Sequence, residues 1–466
     1  MSKHMLLVAV TAVVTPGLSC PPQQGGDNKF AARPWTQSYS DTENSGFNAV
    51  HTPPAASTLQ NWVASVGPLA FASPVIGPDG SIYVGNAAGE LVALNPDGTE
   101  KWRRKIAQSI LSSPAINADT NQIIVSAQEL TPGGGYASRL YRLDSIAALN
   151  NVSSDTVVTS AAPKLWGNFV FLQAGSRLFL FDQTTLQLLG HVDGDSCFNL
   201  VCGGPAPVWD SAALNILGCV VTLGLSQVAG LTQCLPSFKP NVVVGPIQQP
   251  SVAITDVAGQ VGDVNKPIIV MAGQQCASAF RFYPAGDAPQ TALPIDPHFE
   301  LLWSHALVPV NCDFPTIRTA SPMITADGQV IIGDQNGRVL SLDLTTGNEL
   351  WSQVLAAGGA VQSPPLTAFR QIYVVTERFM YELDSNGAFL FTGTLQGVGQ
   401  NGALSGDYVY VTTSNGVHTF TLDGQGATWF SSLAGNSTSA GISFPILGEN
   451  QTAYISSADG FVYAYR

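Results

Sequence analysis

Short apolar runs alternate with Gly, Asn and Asp turns along most of the chain, and one stretch sets the pattern for the rest. Ser73–Trp102 reads SPVIGPDGSIYVGNAAGELVALNPDGTEKW. Ser73-Pro74-Val75-Ile76 predicts a strand that ends at Pro78-Asp79-Gly80, and Ile82-Tyr83-Val84 predicts a second. Gly85–Gly89 turns the chain into Leu91-Val92-Ala93-Leu94, and Pro96-Asp97-Gly98 turns it again before a strand opening at Lys101-Trp102. Asp-Gly pairs supply the positive φ that tight hairpins need. The unit is four short antiparallel strands in about 40 residues, the period of a propeller blade.

A second copy, Ser321–Trp351, reads SPMITADGQVIIGDQNGRVLSLDLTTGNELW. Ser73, Pro74, Asp79, Gly80, Gly85 and Gly89 match Ser321, Pro322, Asp327, Gly328, Gly333 and Gly337 at one offset, and Gly98 and Trp102 match Gly347 and Trp351 after an insertion. Weaker copies open at Ser113-Pro114, Ala162-Pro163, Ser363-Pro364, Gly402-Ala403-Leu404 and Phe444-Pro445. The last unit reaches Arg466 one strand short, and Leu59–Val66 carries a Trp in the required place, Trp62. The N-terminal strand is therefore expected to complete the last blade, leaving only short, protected edges. Trp62, Trp102, Trp303 and Trp351 share the outer-strand position and are read as packing blade against blade.

These units resemble the PQQ-like repeat of β-propeller proteins over roughly residues 59–466, through the Ser-Pro opening, the strand before Gly85 or Gly333, the Leu-x-x-Leu-Asp-type strand and the Gly-x-x-x-Trp ending. The resemblance implies an all-β ring. Residues 196–320 are irregular, with possible blade openings at Ala206–Trp209, followed by a strand at Ile216–Leu223, and at Pro250–Asp256. Counting both gives nine blades; counting one as an insertion gives eight, the number favoured here because it is common in the family. Long insertions in such arrays often form the binding surface.

Repeat folds of this kind host many tasks. One implied by the resemblance is a quinoprotein dehydrogenase using PQQ and calcium, whose members typically carry a vicinal Cys-Cys pair; this chain has none, and no Cys-x-x-Cys-His haem motif. A second is a non-enzymatic scaffold, similar to the propeller lipoprotein of the outer-membrane β-barrel assembly machinery. A third is a surface adhesin or glycan-binding module. The scaffold is favoured: a monomeric propeller with a protein partner at the cell envelope, no cofactor and no catalytic residues.

Composition sharpens the compartment. A net charge of −13 argues against nucleic-acid or anionic-membrane partners. Lys101, Arg103, Arg104 and Lys105 form the one dense basic cluster, read as a solvated outer strand. Lys3 and His4 precede the apolar run Met5–Val14, too short to span a bilayer, so residues 1–20 read as a signal peptide. Cys20 resembles the acylated residue of a bacterial lipoprotein, although Gly17 stands where that pattern prefers Leu. A lipid there would be the protein's only membrane attachment, on the outer membrane and facing periplasm or surface. Residues 21–58, rich in Pro, Gln, Gly, Asn and Ser, are expected to be a flexible linker.

Six further cysteines, Cys197, Cys202, Cys219, Cys234, Cys276 and Cys312, suit three disulfides in an oxidising compartment. Spacing suggests Cys197–Cys202 and Cys219–Cys234, leaving Cys276–Cys312, among 15 possible pairings. Zinc is disfavoured, because no Cys-x-x-Cys pair accompanies Cys197-x4-Cys202. His191-x-Asp193-x-Asp195 is read as a turn at Asp193-Gly194-Asp195 rather than a metal site.

Overall fold

The computed structural model describes residues 34–56, 59–68, 72–131, 134–194, 210–211, 250–255, 266–284, 298–308, 317–355, 357–422, 428–431, 443–457 and 459–466. All of them belong to one compact unit, Ala31–Arg466. The architecture is eight antiparallel sheets arranged as an eight-bladed β-propeller. The innermost strands of blades 1 to 8 are Val75–Ile76, Ala115–Asn117, Lys164–Trp166, Ala253–Ile254, Met323–Ile324, Leu366–Ala368, Gly399–Leu404 and Ile446–Gly448. Each blade then runs outward strand by strand, as in blade 1 through Ile82–Gly85 and Glu90–Leu94 to Glu100–Lys105.

Among the described residues the irregular region contributes one blade, which makes eight. Pro250–Asp256 does open a blade, continued by Ile268–Ala272, Cys276–Tyr283 and His298–Ala306. Asp210–Ser211 instead adds a fifth strand to the edge of blade 3, pairing with Gly190 and His191. The proposed opening at Ala206–Trp209 and the strand at Ile216–Leu223 lie outside the described residues.

Ring closure has the expected form. Blade 8 takes three strands from the C-terminus and its outer strand, Gln60–Ser65, from the N-terminal side, with Trp62 opposite Ala464 and Ala64 opposite Val462. The apolar core is a ring of clusters between neighbouring blades. Val75, Tyr83, Ile123 and Val125 join blades 1 and 2, and Ile331, Val339, Ile372 and Val374 join blades 5 and 6.

Two motifs from the repeat now have physical reasons. The Ser of Ser-Pro offers its hydroxyl to the preceding blade: Ser73 N–H donates to Ser113 Oγ, Ser251 N–H to Ser321 Oγ, and Phe444 N–H to Ser73 Oγ across the closure. The Gly-x-x-x-Trp ending joins blades at the outside. Trp62, Trp102, Trp303 and Trp351 each donate the indole N–H to a turn carbonyl of the next blade, on Pro96, Ser145, Leu344 and Ser385. Three of these rings rest on the glycine of that turn. A Cβ at Gly98, Gly347 or Gly387 would come within 2.6 Å, 2.5 Å or 2.6 Å of Trp62, Trp303 or Trp351, so only Gly fits. One bulged residue precedes each Trp: Ser341 faces Trp351 while Leu342 faces Glu349, which leaves Leu350 unpaired. Such a bulge adds twist to the strand, and here it stands beside the Trp that reaches the next blade.

Candidate functional site

A propeller presents eight innermost strand edges to its axis. In this protein those edges are occupied by its own residues 34–50. One residue of each inner strand, the second in every blade but blade 7, where it is the last, turns a main-chain group to the segment. Ile76 N–H donates to Trp35 O, Ile116 N–H to Thr36 O, and Leu165 N–H to Gln37 Oε1. Ile254 N–H donates to Thr42 O, Ile324 N–H to Glu43 O, Thr367 N–H to Ser45 O and Leu404 N–H to Gly46 O. At blade 8 the polarity reverses, and Asn48 Nδ2 donates to Leu447 O at 2.8 Å. The segment therefore visits blades 1 to 8 in order and circles the axis once.

Left-handed backbone at Tyr39, Ser40, Asn44 and Gly46 supplies the curl. Gly46 is required: at φ +64° a Cβ would lie 2.3 Å from Leu366 Cδ2. Trp35, Tyr39, Phe47 and Val50 are buried, and Trp35 and Val50 join the core cluster shared with blade 8. Beyond Val50 the chain passes along blade 7. Gly406 N–H donates to Val50 O, Tyr410 Oη donates to Thr52 Oγ1 at 2.6 Å, and Ala55 N–H donates to Thr419 Oγ1. It then enters the closing strand.

This corrects the expectation of a flexible linker over residues 34–56. A segment of this composition stays unfolded when it must bury its own surface. Here the ring supplies the surface and the main-chain donors, so a chain unable to fold alone is ordered by what surrounds it.

Lys164 holds the stretch of the segment between its contacts with blades 3 and 4. It is fully buried, and its Nζ donates to Ser38 O at 2.5 Å and Asp41 O at 2.6 Å, with the ammonium 5.5 Å from the centre of the Tyr39 ring. Neighbouring blades hold Val75, Ala115, Ala253, Met323 and Ile446 at that strand position. Asp41 Oδ1 accepts from Ser45 N–H at 2.9 Å, and Asn44 Nδ2 donates to Val252 O and Pro322 O on blades 4 and 5. The Tyr39 ring meets Phe444 edge-on at 4.5 Å, and Ser321 Oγ donates to its hydroxyl. Burial pushes the Tyr39 phenol up to about 12. Two sequence signals pointed here: aromatic residues inside a supposed tether, and a lysine in an otherwise apolar strand position.

The other candidate residues fall apart spatially or fall outside the described residues. Cys276 is buried at the start of the third strand of blade 4 and is disulfide-bonded. Cys20, Cys197, Cys202, Cys219, Cys234 and Cys312 lie outside the described residues, as does Asp195. His191 and Asp193 sit in the strand Leu188–Asp193, not in a turn, because that strand continues to pair with Leu178 and Arg177; His191 stacks on Phe179. The basic cluster is an outer strand as expected. Lys101 pairs with Asp79 at 2.8 Å, and Arg103 pairs with Glu90 and Glu100 at 3.0 Å and 2.9 Å. Trp166 meets Phe282, and Trp429 meets Tyr408.

The strand edges that would face a quinone or metal on the axis are taken by the chain's own residues. Residues 35–48 hold the inner edges, and no group of three or more His, Cys, Asp or Glu among the described residues is arranged to hold a metal. One exposed feature among the described residues is a hairpin in blade 2, Gln122–Leu130 and Tyr136–Leu143, whose strands are longer than those of blades 1 and 3. At its tip Leu130 and Tyr136 face each other, 60% and 55% exposed.

A family model described as outer membrane protein assembly factor BamB matches residues 35–146 and 296–464. Its match begins at the first residue that bonds to an inner strand. BamB from Moraxella catarrhalis is similar in structure, with TM-score 0.54 and 14% identity over 87% of this chain and 99% of that one. A europium-containing methanol dehydrogenase is similar at TM-score 0.60 and 12% identity, covering 91% and 89%. The quinohemoprotein alcohol dehydrogenase from Comamonas testosteroni gives TM-score 0.58 and 12% identity, covering 93% and 80%. At these identities the likenesses establish the fold alone. Among curated proteins no sequence matches.

Proposed function

Since the chain belongs to the family described as outer membrane protein assembly factor BamB, we propose that it is a non-enzymatic, protein-binding scaffold of the cell envelope. Export would use residues 1–20, and a lipid on Cys20 would anchor it. The observation that supports the non-enzymatic reading is the occupied inner edges: the strand edges that would face a cofactor on the axis are bonded to the protein's own residues 35–48. Binding then falls to the outer surfaces. The apolar tip of the blade 2 hairpin supports that reading, because an exposed Leu–Tyr pair adds nothing to the ring's own packing.

The test is crosslinking in native membranes from a photoreactive group at position 136, followed by purification without reduction. One discrete protein adduct, lost when Leu130 is changed to Asp, is the expected result. Oxidation of alcohols or sugars by the purified protein supplied with PQQ and calcium overturns it. Metabolic palmitate labelling that survives Cys20→Ala overturns the anchor.

A further inference from the structure

We propose that the axial channel is a peptide-binding site and that residues 34–50 are its resident ligand, held by recognition and not merely by covalent connection to the closing strand. The recognition is chemical and repeated. Seven blades present one inward N–H each, on Ile76, Ile116, Leu165, Ile254, Ile324, Thr367 and Leu404, and the eighth presents the carbonyl of Leu447. The segment meets this ring with six outward main-chain carbonyls and the side-chain amides of Gln37 and Asn48, a set that few ligands but a polypeptide can offer.

Three further features select among polypeptides. The path needs left-handed backbone at several points, which favours Gly and Asn. Lys164 demands two carbonyls between the contacts with blades 3 and 4, on Ser38 and Asp41. Two aromatic positions are read, Tyr39 against Phe444 and Phe47 against Phe369. The ligand class is thus a curled, Gly- and Asn-containing segment with aromatic residues eight apart, as at Tyr39 and Phe47. This stands whether or not the outer surfaces bind a protein partner.

The experiment uses the full chain with a specific protease site inserted between Ala56 and Leu59, cut under native conditions. The N-terminal fragment is expected to co-elute with the ring. A labelled synthetic peptide of residues 34–56 should exchange into it in excess, while the same peptide carrying Gly46→Val should not. Immediate loss of the fragment from a ring that keeps its thermal transition overturns the proposal, as does equal uptake of both peptides. If the cut protein unfolds, hydrogen exchange in the uncut chain decides. The inward amides of Ile76, Ile116, Ile254, Ile324, Thr367 and Leu404 should exchange at least about a hundredfold more slowly than freely exposed amides. Exchange at the exposed rate overturns the proposal.

Discussion

The inner strands of blade 5 and the segment 34–50 are both largely buried and both hydrogen-bonded to neighbouring strands, yet they are specified in opposite ways. Blade 5 carries its own instructions. Its strands read as apolar runs, Asp327-Gly328 turns the chain, Gly347 receives Trp303 from blade 4, and Trp351 is delivered to Gly387 of blade 6. The segment contains no strand pattern. Its order comes from donors spread over residues 76 to 404, and its curl from left-handed residues that fit only because the ring is there. Self-specified structure repeats in sequence; structure specified by a surrounding surface need not.

The comparison can be broken by variants that strike one side of it. The largest effect should come from Trp351→Ala, which empties the junction of blades 5 and 6 and leaves Ser385 O without its indole donor. We expect a loss of about 3–5 kcal/mol, read as a fall of several degrees in the global transition. Gly46→Val strains a left-handed residue and strikes Leu366; about 2–3 kcal/mol is expected. Its signature is local, with inner-strand amides of blades 6 and 7 exchanging faster before the global transition moves. If both variants lower the transition with no local difference, the segment and the blades are one cooperative unit and the contrast fails.

A finer cut is Lys164→Met, which keeps the volume and puts an apolar side chain where other blades have one. Ser38 O and Asp41 O lose their donor, at a cost of about 2 kcal/mol. Faster exchange confined to blades 2 to 4 would place that cost in the segment; a change confined to the outer strands would place it elsewhere.

The smallest effect separates the two regions by pH. The Tyr39 phenol ordinarily titrates at 10.0 and is raised to about 12 in the fold. The unfolded chain therefore loses its proton first. The contribution is intact below pH 10 and disappears as pH rises toward 12. Tyr39→Phe should flatten that alkaline fall by about 1–2 kcal/mol at pH 12, measured by denaturant titration. Acid acts on the blades instead. The Asp343 carboxyl is held below its usual 3.8 by the hydroxyls and amides of Thr345 and Thr346, so its turn is stabilised above that pH and loosens as pH falls through the lowered value. Asp343→Asn should blunt that acid loss slightly.

Much of the fold was legible because each blade solves the same local problem. Turn glycines, the Ser-Pro opening and the outer Trp are needed wherever one four-stranded sheet meets the next, so they recur at a fixed spacing and can be read without a structure. Ring closure by Gln60–Ser65 was legible for the same reason, as a missing strand whose Trp lay at the other end of the chain. The blade count, the fate of Asp210–Ser211 and the strand placement of His191 were decided by pairing across the irregular region. The axial segment was decided wholly by tertiary structure. Its partners are eight main-chain groups brought to one circle only after the blades have closed, and a main-chain N–H leaves no mark in the sequence. What marks there were, Lys164 in an apolar column and Trp35, Tyr39 and Phe47 in a polar tract, are side chains that gain meaning from that circle.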